Sequence, residues 1–458
     1  PDFTESGTHT ITVTVDDRLG GTVSHTWEVT VNHVNIAPEA EDLFASTPKG
    51  SADPVTFTLK GSDFDSDPLV YSIVDSPSYG TLSSVSGDQV IYTPDGVHIG
   101  LDTFTYKAND GIADSNISTA TIYCGLQLKI TDLGTLGGSE SRAFAINRHG
   151  DITGDSRFNT GSNTRIFLYD YSDGTLTDLG LDDHTYCTGY GINRHGDIGG
   201  YISPNAFLYS EGALTDLGIP GTPNYNVAAV MDINDSGIMA GYSYYISGWW
   251  ATAYMAWIHD GENYVDLGNL GSQYIYSSAV NNFQEVVGSG SVPDQGYHAF
   301  IYDPVNGMRD LNTVAPVGED WVLMYATDII DDGTVVGKGT FQEETNHGYL
   351  FKGDTITDLG SLGSRGSVTA VNNNHVAIGR EYTDSREYKP FIVFPDHGRA
   401  RIDHILPEAE TWKLEYVSDL NDACQIVGYG TNPSGESHAC LLEPYDINRL
   451  PVAVDDVA

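Results

Sequence analysis

The chain has 458 residues, of which 63 are acidic and only 21 are Lys or Arg, so its formal net charge at pH 7 is −42. This excess of negative charge excludes binding to nucleic acids or anionic membranes by bulk attraction, because such binding needs clusters of Lys and Arg. Apolar residues make up 40% of the sequence, enough for packed cores, yet no apolar run is long enough to span a bilayer.

Residues 1–36 have the pattern of two strands joined by a turn. The runs Thr10–Asp16 and Ser24–Asn32 are rich in alternating Thr and Val, and Gly20–Gly21 separates them. We therefore predict the C-terminal part of an Ig-like module in residues 1–36.

Residues 37–125 contain short alternating runs separated by turns, over about ninety residues. This spacing predicts an Ig-like sandwich. The stretches GSDFDSDPLVYS at Gly61–Ser72 and DTFTYKANDG at the end of Val90–Gly111 resemble the cadherin-like and bacterial Ig-like repeats of large surface adhesins. The predicted strands are Val55–Lys60, Leu69–Ile73, Gln89–Thr93, Thr103–Ala108 and Ser118–Tyr123.

An acidic loop in this module predicts a calcium site. Asp63, Asp65 and Asp67 alternate along the chain, and three carboxylates so close together repel one another unless a cation lies between them. Ligands that are all oxygen atoms suit Ca²⁺, and we expect Asp102 and Asp110 to be additional ligands. The resemblance to cadherin-like chains also implies calcium. The other interpretation is a solvated loop stabilised by Asx turns.

Residues 126–446 are organised by a unit that recurs seven times. The unit reads approximately A-x-x-I-N-x-x-G-D-I-x-G, a variable stretch, A-F-L-Y, a turn and L-T-D-L-G. Four short apolar runs per unit, with a spacing near 45 residues, are typical of the blades of a β-propeller. The Asp of the last element recurs at Asp132, Asp178, Asp216, Asp266, Asp310, Asp358 and Asp403. The Asn recurs at Asn147, Asn193, Asn234, Asn281, Asn372 and Asn421, with Ile330 in the fifth unit.

The repeated residues predict structural roles. The Gly seven residues after each Asn position indicates a strand that packs too closely on its neighbour for a side chain. The repeated Asp is expected to accept hydrogen bonds from nearby turn amides. Gln284, His375 and Cys424 replace the Gly of the turn after the Asn, so we expect altered turns there. Cys424 and Cys440 fall in one unit and either form a disulfide or stay free.

The two ends of the repeat array predict that the ring is closed. The array opens with Leu128–Gly134, which is a lone fourth strand, and ends with Ala439–Glu443, which is a third strand. Pairing these segments completes seven blades and leaves no unpaired sheet ends in the ring. We therefore predict an all-β protein with a seven-bladed β-propeller and Ig-like β-sandwich modules.

The repeat resembles the extracellular HAF-type repeat family. The matching stretches are Thr131–Gly137 (TDLGTLG), Ala145–Gly150 (AINRHG), His298–Tyr302 (HAFIY) and Thr357–Gly363 (TDLGSLG). The resemblance implies a secreted or surface-exposed protein and brings no catalytic residues.

Residues 447–458 are interpreted as the opening strand of a following Ig-like module. The partial modules at the two ends, residues 1–36 and 447–458, can be explained in two ways. Either the protein continues on both sides, or the partial modules complete one another between chains by strand addition, which would make a polymer.

An aromatic loop in the third unit is a candidate interaction surface. It contains Tyr242, Tyr244, Tyr245, Trp249, Trp250 and Tyr254. Neighbouring residues of a strand face opposite sides, so the two Trp side chains cannot both lie in one core. We expect Tyr244, Tyr245, Trp249 and Trp250 to form a platform for sugars or another protomer. The alternative is a hairpin that packs these rings on its own blade.

Three functions are compatible with the sequence. The first is a non-catalytic extracellular structural or adhesive protein, whose propeller binds surface proteins, glycans or other copies of the chain. The second is a polysaccharide lyase or glycosidase acting in the central depression, with His184, Tyr186, Arg365 and Arg380 as candidates. The third is a subunit of a filament or surface layer.

Overall fold

The computed structural model describes residues 7–444, except 17, 20, 32–34, 49, 159–162, 181–185, 222–224, 248–249, 315–319, 396–397 and 407–411. The chain divides into two compact units, Pro1–Gly125 and Leu126–Ala458. No helix among the described residues is both long and apolar enough to cross a membrane.

The first unit contains a hairpin and a β-sandwich. In the hairpin, β1 (Gly7–Asp16) pairs antiparallel with β2 (Thr22–Val31), and Ile11 lies opposite Trp27. The strands of the sandwich are β3 (Glu39–Ala40), β4 (Leu43–Thr47), β5 (Val55–Thr58), β6 (Gly61–Ser62), β7 (Val70–Asp75), β8 (Gly80–Leu82), β9 (Gln89–Pro94), β10 (Gly100–Asn109) and β11 (Ser118–Cys124).

The sandwich packs a sheet in the order β4-β11-β10-β7 against a sheet in the order β5-β9-β8, with β3 paired to β6. Residues at alternate positions face the core, as a pleated strand requires. Phe104 and Tyr106 of β10 are fully buried. The ring of Phe104 packs edge to face on Phe57, with centroids 5.2 Å apart. The predicted Ig-like sandwich is confirmed.

The second unit contains, among the described residues, seven four-stranded antiparallel sheets and two helical turns. The strands that come first in the seven sheets contact one another in a closed cycle, so the sheets are the blades of a propeller. Blade 1 is β13 (Ser141–Ile146), β14 (Ile152–Arg157), β15 (Thr164–Asp170) and β16 (Thr175–Asp178). Blade 2 is β17 (Cys187–Ile192), β18 (Ile198–Ile202), β19 (Asn205–Ser210) and β20 (Ala213–Gly218). Blade 3 is β21 (Val227–Ile233), β22 (Met239–Ser247), β23 (Trp250–His259) and β24 (Tyr264–Asp266).

The remaining blades follow the same order. Blade 4 is β25 (Ile275–Val280), β26 (Val286–Val292), β27 (Gly296–Asp303) and β28 (Gly307–Asp310), followed by α1 (Leu311–Val314). Blade 5 is β29 (Trp321–Ile329), β30 (Val335–Phe341), β31 (Glu344–Lys352) and β32 (Thr355–Ser361). Blade 6 is β33 (Ser367–Val371), β34 (Ala377–Tyr382), β35 (Tyr388–Phe394) and β36 (Gly398–Arg401), followed by α2 (Ile402–Ile405). Blade 7 is β37 (Lys413–Leu420), β38 (Ile426–Thr431), β39 (Ser437–Pro444) and β12 (Leu128–Gly134).

The ring closes through blade 7, where β12 pairs antiparallel with β39 and Ile130 lies opposite Leu442. The predicted pairing of the opening segment with the last unit is confirmed. It joins the two ends of the repeat array within one antiparallel sheet.

The repeated Gly and Asp have the predicted roles, with one exception. A Cβ on Gly154 would collide with the carbonyl group of Arg142 and the ring of Phe167. In six units the Asp accepts a hydrogen bond from the backbone N–H two residues later. Asp403 differs because it lies in α2 and accepts hydrogen bonds from the Arg401 side chain instead.

Altered turns were expected at Gln284, His375 and Cys424, and this expectation is wrong. These residues have φ angles of 62°, 59° and 57°, so they adopt the left-handed conformation that Gly adopts in the other units. The same turn therefore forms in every blade, including those without Gly. The four cysteines are free, so Cys424 and Cys440 do not form a disulfide.

Candidate functional sites

The propeller channel has two mouths, and the first is formed by the turns that follow the inner strands. We call it the asparagine mouth. The side-chain amide of each ring Asn donates to the backbone carbonyl of the same position in the next blade. The six hydrogen bonds measure 2.9–3.2 Å and start from Asn147, Asn193, Asn234, Asn281, Asn372 and Asn421. Ile330 has no side-chain amide, so this hydrogen bond is missing between blades 5 and 6.

A second set of polar residues surrounds a cavity of about 460 Å³ at the asparagine mouth. Asp235 accepts a hydrogen bond from the backbone N–H of Arg194, and Asp331 accepts one from the N–H of Asn282. Asp422 accepts in the same way from Asn373. These polar groups bind neighbouring blades to one another, so their arrangement is primarily structural.

Three carboxyl groups lie inside the channel. Asp232, Asp328 and Asp419, on the inner strands of blades 3, 5 and 7, each accept a hydrogen bond from the inner strand of the next blade, at Val280, Val371 and Ile146. Burial raises the pKa of Asp328 to about 7 and that of Asp419 to about 8, and repulsion among the three carboxylates adds to the increase. The sequence did contain a signal for this set, which was not recognised: the other four blades have Ala or Gly at this position.

The second mouth lies about five residues, roughly 16 Å, earlier along the inner strands. We call it the tyrosine mouth. In each blade it presents one residue of the inner strand and the residue opposite on the second strand. These pairs, which we call the mouth ring, are Arg142 and Asp155, Thr188 and Tyr201, Ala229 and Tyr242, Tyr276 and Ser289, Tyr325 and Lys338, Ser367 and Arg380, and Tyr416 and Tyr429.

The mouth ring differs strongly in composition from the rest of the chain. Three of its fourteen residues are Lys or Arg, against 21 in all 458, and six are Tyr. Most of these aromatic and cationic side chains are partly exposed. Because these positions vary from unit to unit while the preceding Gly does not, they are not needed to form the blade.

Aromatic and cationic side chains meet across blade boundaries around this mouth. The contacts join Tyr242 to Tyr276 at 6.2 Å, Tyr297 to Tyr325 at 5.6 Å and Arg380 to Tyr416 at 4.5 Å, measured to ring centroids. Burial raises the pKa of Tyr429, whereas the Arg380 and Arg142 cations beside it oppose that increase. The tyrosine mouth therefore combines aromatic contacts between neighbouring blades with positive charges.

The predicted aromatic platform lies on the hairpin that contributes Tyr242 to the tyrosine mouth. Tyr244 stacks on Tyr254, with centroids 5.5 Å apart, and Tyr245 is 38% exposed. Trp249 lies outside the described residues, as does the side chain of Trp250. Tyr244 thus packs within its own hairpin, as the alternative interpretation stated, while that hairpin borders the tyrosine mouth.

The residues proposed for an enzyme do not form one group. Tyr186 lines a cleft of about 340 Å³ beside Arg142 and Asp155. Arg365 lies over the ring of Tyr382 at 5.4 Å, and Arg380 belongs to the mouth ring. His184 lies outside the described residues.

In the first unit, the acidic loop brings its three carboxylates together. Asp63, Asp65 and Asp67 each place one carboxylate oxygen within 4.8 Å of the others. Such oxygens can share one Ca²⁺, whose bonds to oxygen measure about 2.3–2.6 Å. Two oxygens, Oδ2 of Asp63 and Oδ1 of Asn35, are buried and have no hydrogen-bond donor among the described residues.

The segment before β3 connects this loop to Asp110. The backbone N–H of Ile36 donates to Asp65 at 2.8 Å, and the Asn35 amide donates to Asp110 at 2.8 Å. Asp110 also accepts from the backbone of Ile112 and lies outside the group of three. It holds Asn35 in place beside the acidic loop.

Asp102 was expected to be a calcium ligand, and the structure contradicts this. It lies at the opposite end of β10 from Asp110 and is almost completely buried. Its carboxylate accepts hydrogen bonds from Ser78, Tyr79 and the Tyr92 hydroxyl, so its oxygens already have donors. The predicted strand Thr103–Ala108 already separates Asp102 from Asp110, but the donors that surround Asp102 had no sequence signal.

Residues 35–123 match the family model of the bacterial Ig domain. No curated protein matches the chain. The β-propeller domain of the trilobed protease from Pyrococcus furiosus is 10% identical with a TM-score of 0.38, over 71% of this chain and 98% of that one. A prolyl endopeptidase structure is 11% identical with a TM-score of 0.43, over 81% and 55%. The Aleuria aurantia lectin with alpha-methyl-L-fucoside is 10% identical with a TM-score of 0.34, over 62% and 97%.

Proposed function

We propose that the chain is a non-catalytic extracellular interaction protein, in which the tyrosine mouth of the propeller binds the partner. One observation carries this proposal: polar groups at the asparagine mouth bind one another, whereas the tyrosine mouth presents aromatic rings and cations that the fold does not need. The partner classes are glycans, surface proteins and other copies of the chain. The bacterial Ig domain and the HAF-type resemblance support a location at the cell surface.

The contacts of Asp155, the one carboxylate of the mouth ring, favour a binding function over catalysis. Asp155 is held by the Arg142 guanidinium through hydrogen bonds of 3.0 and 2.7 Å, and it accepts a third from Thr188 at 3.1 Å. A carboxylate fixed in a bidentate ion pair is a poor general acid or base, because proton transfer would break the pair.

A glycan-active enzyme is the second candidate, and one observation favours it. Glu140 and Asp155 line the cleft that contains Tyr186, and burial raises the pKa of Asp155 although Arg142 opposes the increase. A raised carboxyl pKa in a cleft is a feature of glycosidase acids.

One experiment separates the two candidates. Affinity electrophoresis of the full chain in gels containing neutral or acidic polysaccharides, combined with assays for new reducing ends and unsaturated products, measures binding and turnover together. Retardation without products supports the interaction protein, whereas products favour the enzyme. Absence of retardation, together with no self-association in analytical ultracentrifugation, would contradict the proposed function.

We also propose that Ca²⁺ binds the acidic loop and stiffens the Ig-like module. The two buried oxygens without donors, on Asp63 and Asn35, support this proposal because a cation would provide their partner. Calcium at about a hundred times its dissociation constant should add about 2.7 kcal/mol to the free energy of unfolding of the module.

This prediction is checked by thermal unfolding in calcium and in EDTA. The unfolding temperature of the first unit should fall by several degrees in EDTA. Asp63→Asn should lose the response to calcium, and Asp88→Asn, at an exposed site outside the loop, should keep it. Equal unfolding temperatures of the wild-type chain in calcium and EDTA would rule out the site. Negative-stain images in calcium would show whether the chain forms filaments.

A further inference from the structure

Two cations stand next to each other on one arc of the tyrosine mouth. We define the cationic arc as Tyr325, Lys338, Arg380, Tyr388 and Tyr416, contributed by blades 5, 6 and 7. The Arg380 guanidinium carbon lies 4.0 Å from the ring centre of Tyr388 and 4.5 Å from that of Tyr416. The Lys338 ammonium lies 5.3 Å from the ring centre of Tyr325.

Neither cation has a carboxylate partner in the described part of the chain. By contrast, Arg142 pairs with Asp155 and Arg399 with Glu381. Among the described residues, the Lys338 ammonium donates only to the backbone carbonyl of Gly366, at 3.2 Å. These two cations thus lie next to each other without a carboxylate partner among the described residues, although the chain has three acidic residues for each basic one.

The arrangement has an energetic cost that a ligand would remove. Burial lowers the pKa of Lys338, and repulsion by Arg380 lowers it further. Nε of Arg380 is shielded from solvent and has no acceptor among the described residues. Cation–π contacts offset part of this cost, but they leave N–H donors without acceptors.

The chemistry of these side chains defines the ligand. A guanidinium can bind a carboxylate or sulfate through two parallel hydrogen bonds, and an ammonium binds the same groups as a point charge. Partly exposed Tyr rings provide rigid apolar faces with a hydroxyl at the edge, which suit a pyranose ring with its C–H face and hydroxyl groups. An anion joined to a sugar ring would meet both requirements.

We propose that the cationic arc binds an acidic saccharide, with its carboxylate or sulfate on Arg380 and Lys338 and its sugar ring against the neighbouring Tyr side chains. This inference rests on the proposed function, since it names the ligand class of the tyrosine mouth. The net charge of −42 repels long polyanions, but at 0.15 M salt this repulsion is screened beyond about 8 Å. Short acidic oligosaccharides are therefore the appropriate probes.

Isothermal titration of the full chain tests the proposal. The probes are tetragalacturonate for carboxylate, a chondroitin sulfate tetrasaccharide for sulfate and maltotetraose as the neutral control. We expect an acidic probe to bind more tightly than maltotetraose. Arg380→Gln should weaken that binding at least about tenfold, because it removes a bidentate contact. Arg380→Lys should weaken it less, since the charge remains.

Controls separate lost contacts from lost folding. Arg148→Gln changes an arginine at the asparagine mouth and should leave the affinity within about twofold. Thermal unfolding temperatures close to that of the wild type would show that the Arg380 variants are folded. Lys338→Gln provides an independent variant on the neighbouring blade.

Three results would overturn the proposal: no binding of either acidic probe, equal binding of maltotetraose, or unchanged affinity in both Arg380→Gln and Lys338→Gln. If an acidic probe binds but these variants leave its affinity unchanged, the arc is wrong while the propeller as an interaction domain stands. If no probe binds and the electrophoresis and ultracentrifugation tests are also negative, the proposed function fails as well.

Discussion

The two mouths of the propeller are built on the same seven inner strands, yet they use their polar residues in opposite ways. At the asparagine mouth, one residue type recurs, and each amide binds the next blade. At the tyrosine mouth, the residues differ from blade to blade, and Lys338 and Arg380 have no carboxylate partner among the described residues. The difference indicates that repeated positions hold the ring together, whereas varied positions are available for binding.

The strongest test of this comparison is the removal of one ring amide. Asn193 accepts hydrogen bonds from the backbone of His195 and Asp197 and donates to the carbonyl of Asn234. Asn193→Ala leaves these groups without partners, so we expect it to lower the free energy of unfolding by about 2–4 kcal/mol. Chemical denaturation of the full chain measures this loss.

The matched control is Ser367→Ala in the mouth ring, which should change the stability by less than about 0.5 kcal/mol. If the two substitutions destabilise the protein equally, the distinction between structural and available positions is lost. A ligand effect would separate them further, because Asn193 does not lie at the tyrosine mouth.

A second test concerns the carboxyl groups between the two mouths. Asp419→Ala removes the acceptor of the Ile146 N–H and introduces the residue that blades 1, 4 and 6 have at this position. At pH 5 we expect a loss of about 1–3 kcal/mol, since a buried donor loses its partner. Urea denaturation of wild type and variant at several pH values measures the difference.

The difference between wild type and Asp419→Ala should decrease as the pH rises. The pKa of Asp419 is raised to about 8 in the folded protein, above the ordinary value of about 3.9 that applies in the unfolded chain. The contribution of the carboxyl group is therefore complete below about pH 4 and is lost as the pH rises through about 8. Asp328→Ala should show the same trend at lower pH, because its pKa is raised to about 7. A difference that grows with pH would contradict this assignment.

The smallest expected effect is at a turn of the asparagine mouth. Gln284 holds the left-handed conformation with φ of 62°, where Gly237 of the preceding blade has φ of 78°. Gln284→Gly should raise the stability by about 0.5–1 kcal/mol, since relief of the left-handed strain exceeds the entropy gained by the unfolded chain. The opposite change at the equivalent position of blade 3, Gly237→Ala, should lower the free energy of unfolding by a similar amount. Neither variant should alter binding at the tyrosine mouth, and equilibrium denaturation with saccharide titration would check both statements.

Local patterns predicted the elements of both units well, because strands and turns depend on short stretches of sequence. The pairing of β12 with β39 followed from the incomplete ends of the repeat array. The roles of Asp132 and Gly154 followed from their fixed positions in the unit. The Asp63 trio was recognisable because its members are neighbours along the chain, whereas Asn35 beside it had no sequence signal.

Other features depend on which side chains meet after folding. Asp102 is buried and accepts hydrogen bonds from Ser78 and Tyr79, which lie far from it along the chain. Gln284 and His375 were expected to alter a turn that they nevertheless adopt, with positive φ angles. The aromatic loop was found by its composition, while its continuation into Tyr276 of the next blade was not.

The sequence alone determined that this protein is an all-β chain in which repeated four-stranded units follow an Ig-like module along the sequence. Hydrophobic alternation and turn residues are local and recur, so they could be recognised. Only the tertiary structure decided that Lys338, Arg380 and Tyr416, from three different units, form one cationic and aromatic surface. The physical reason is ring closure, which brings equivalent positions of successive blades to the same mouth of the channel whatever residues they carry.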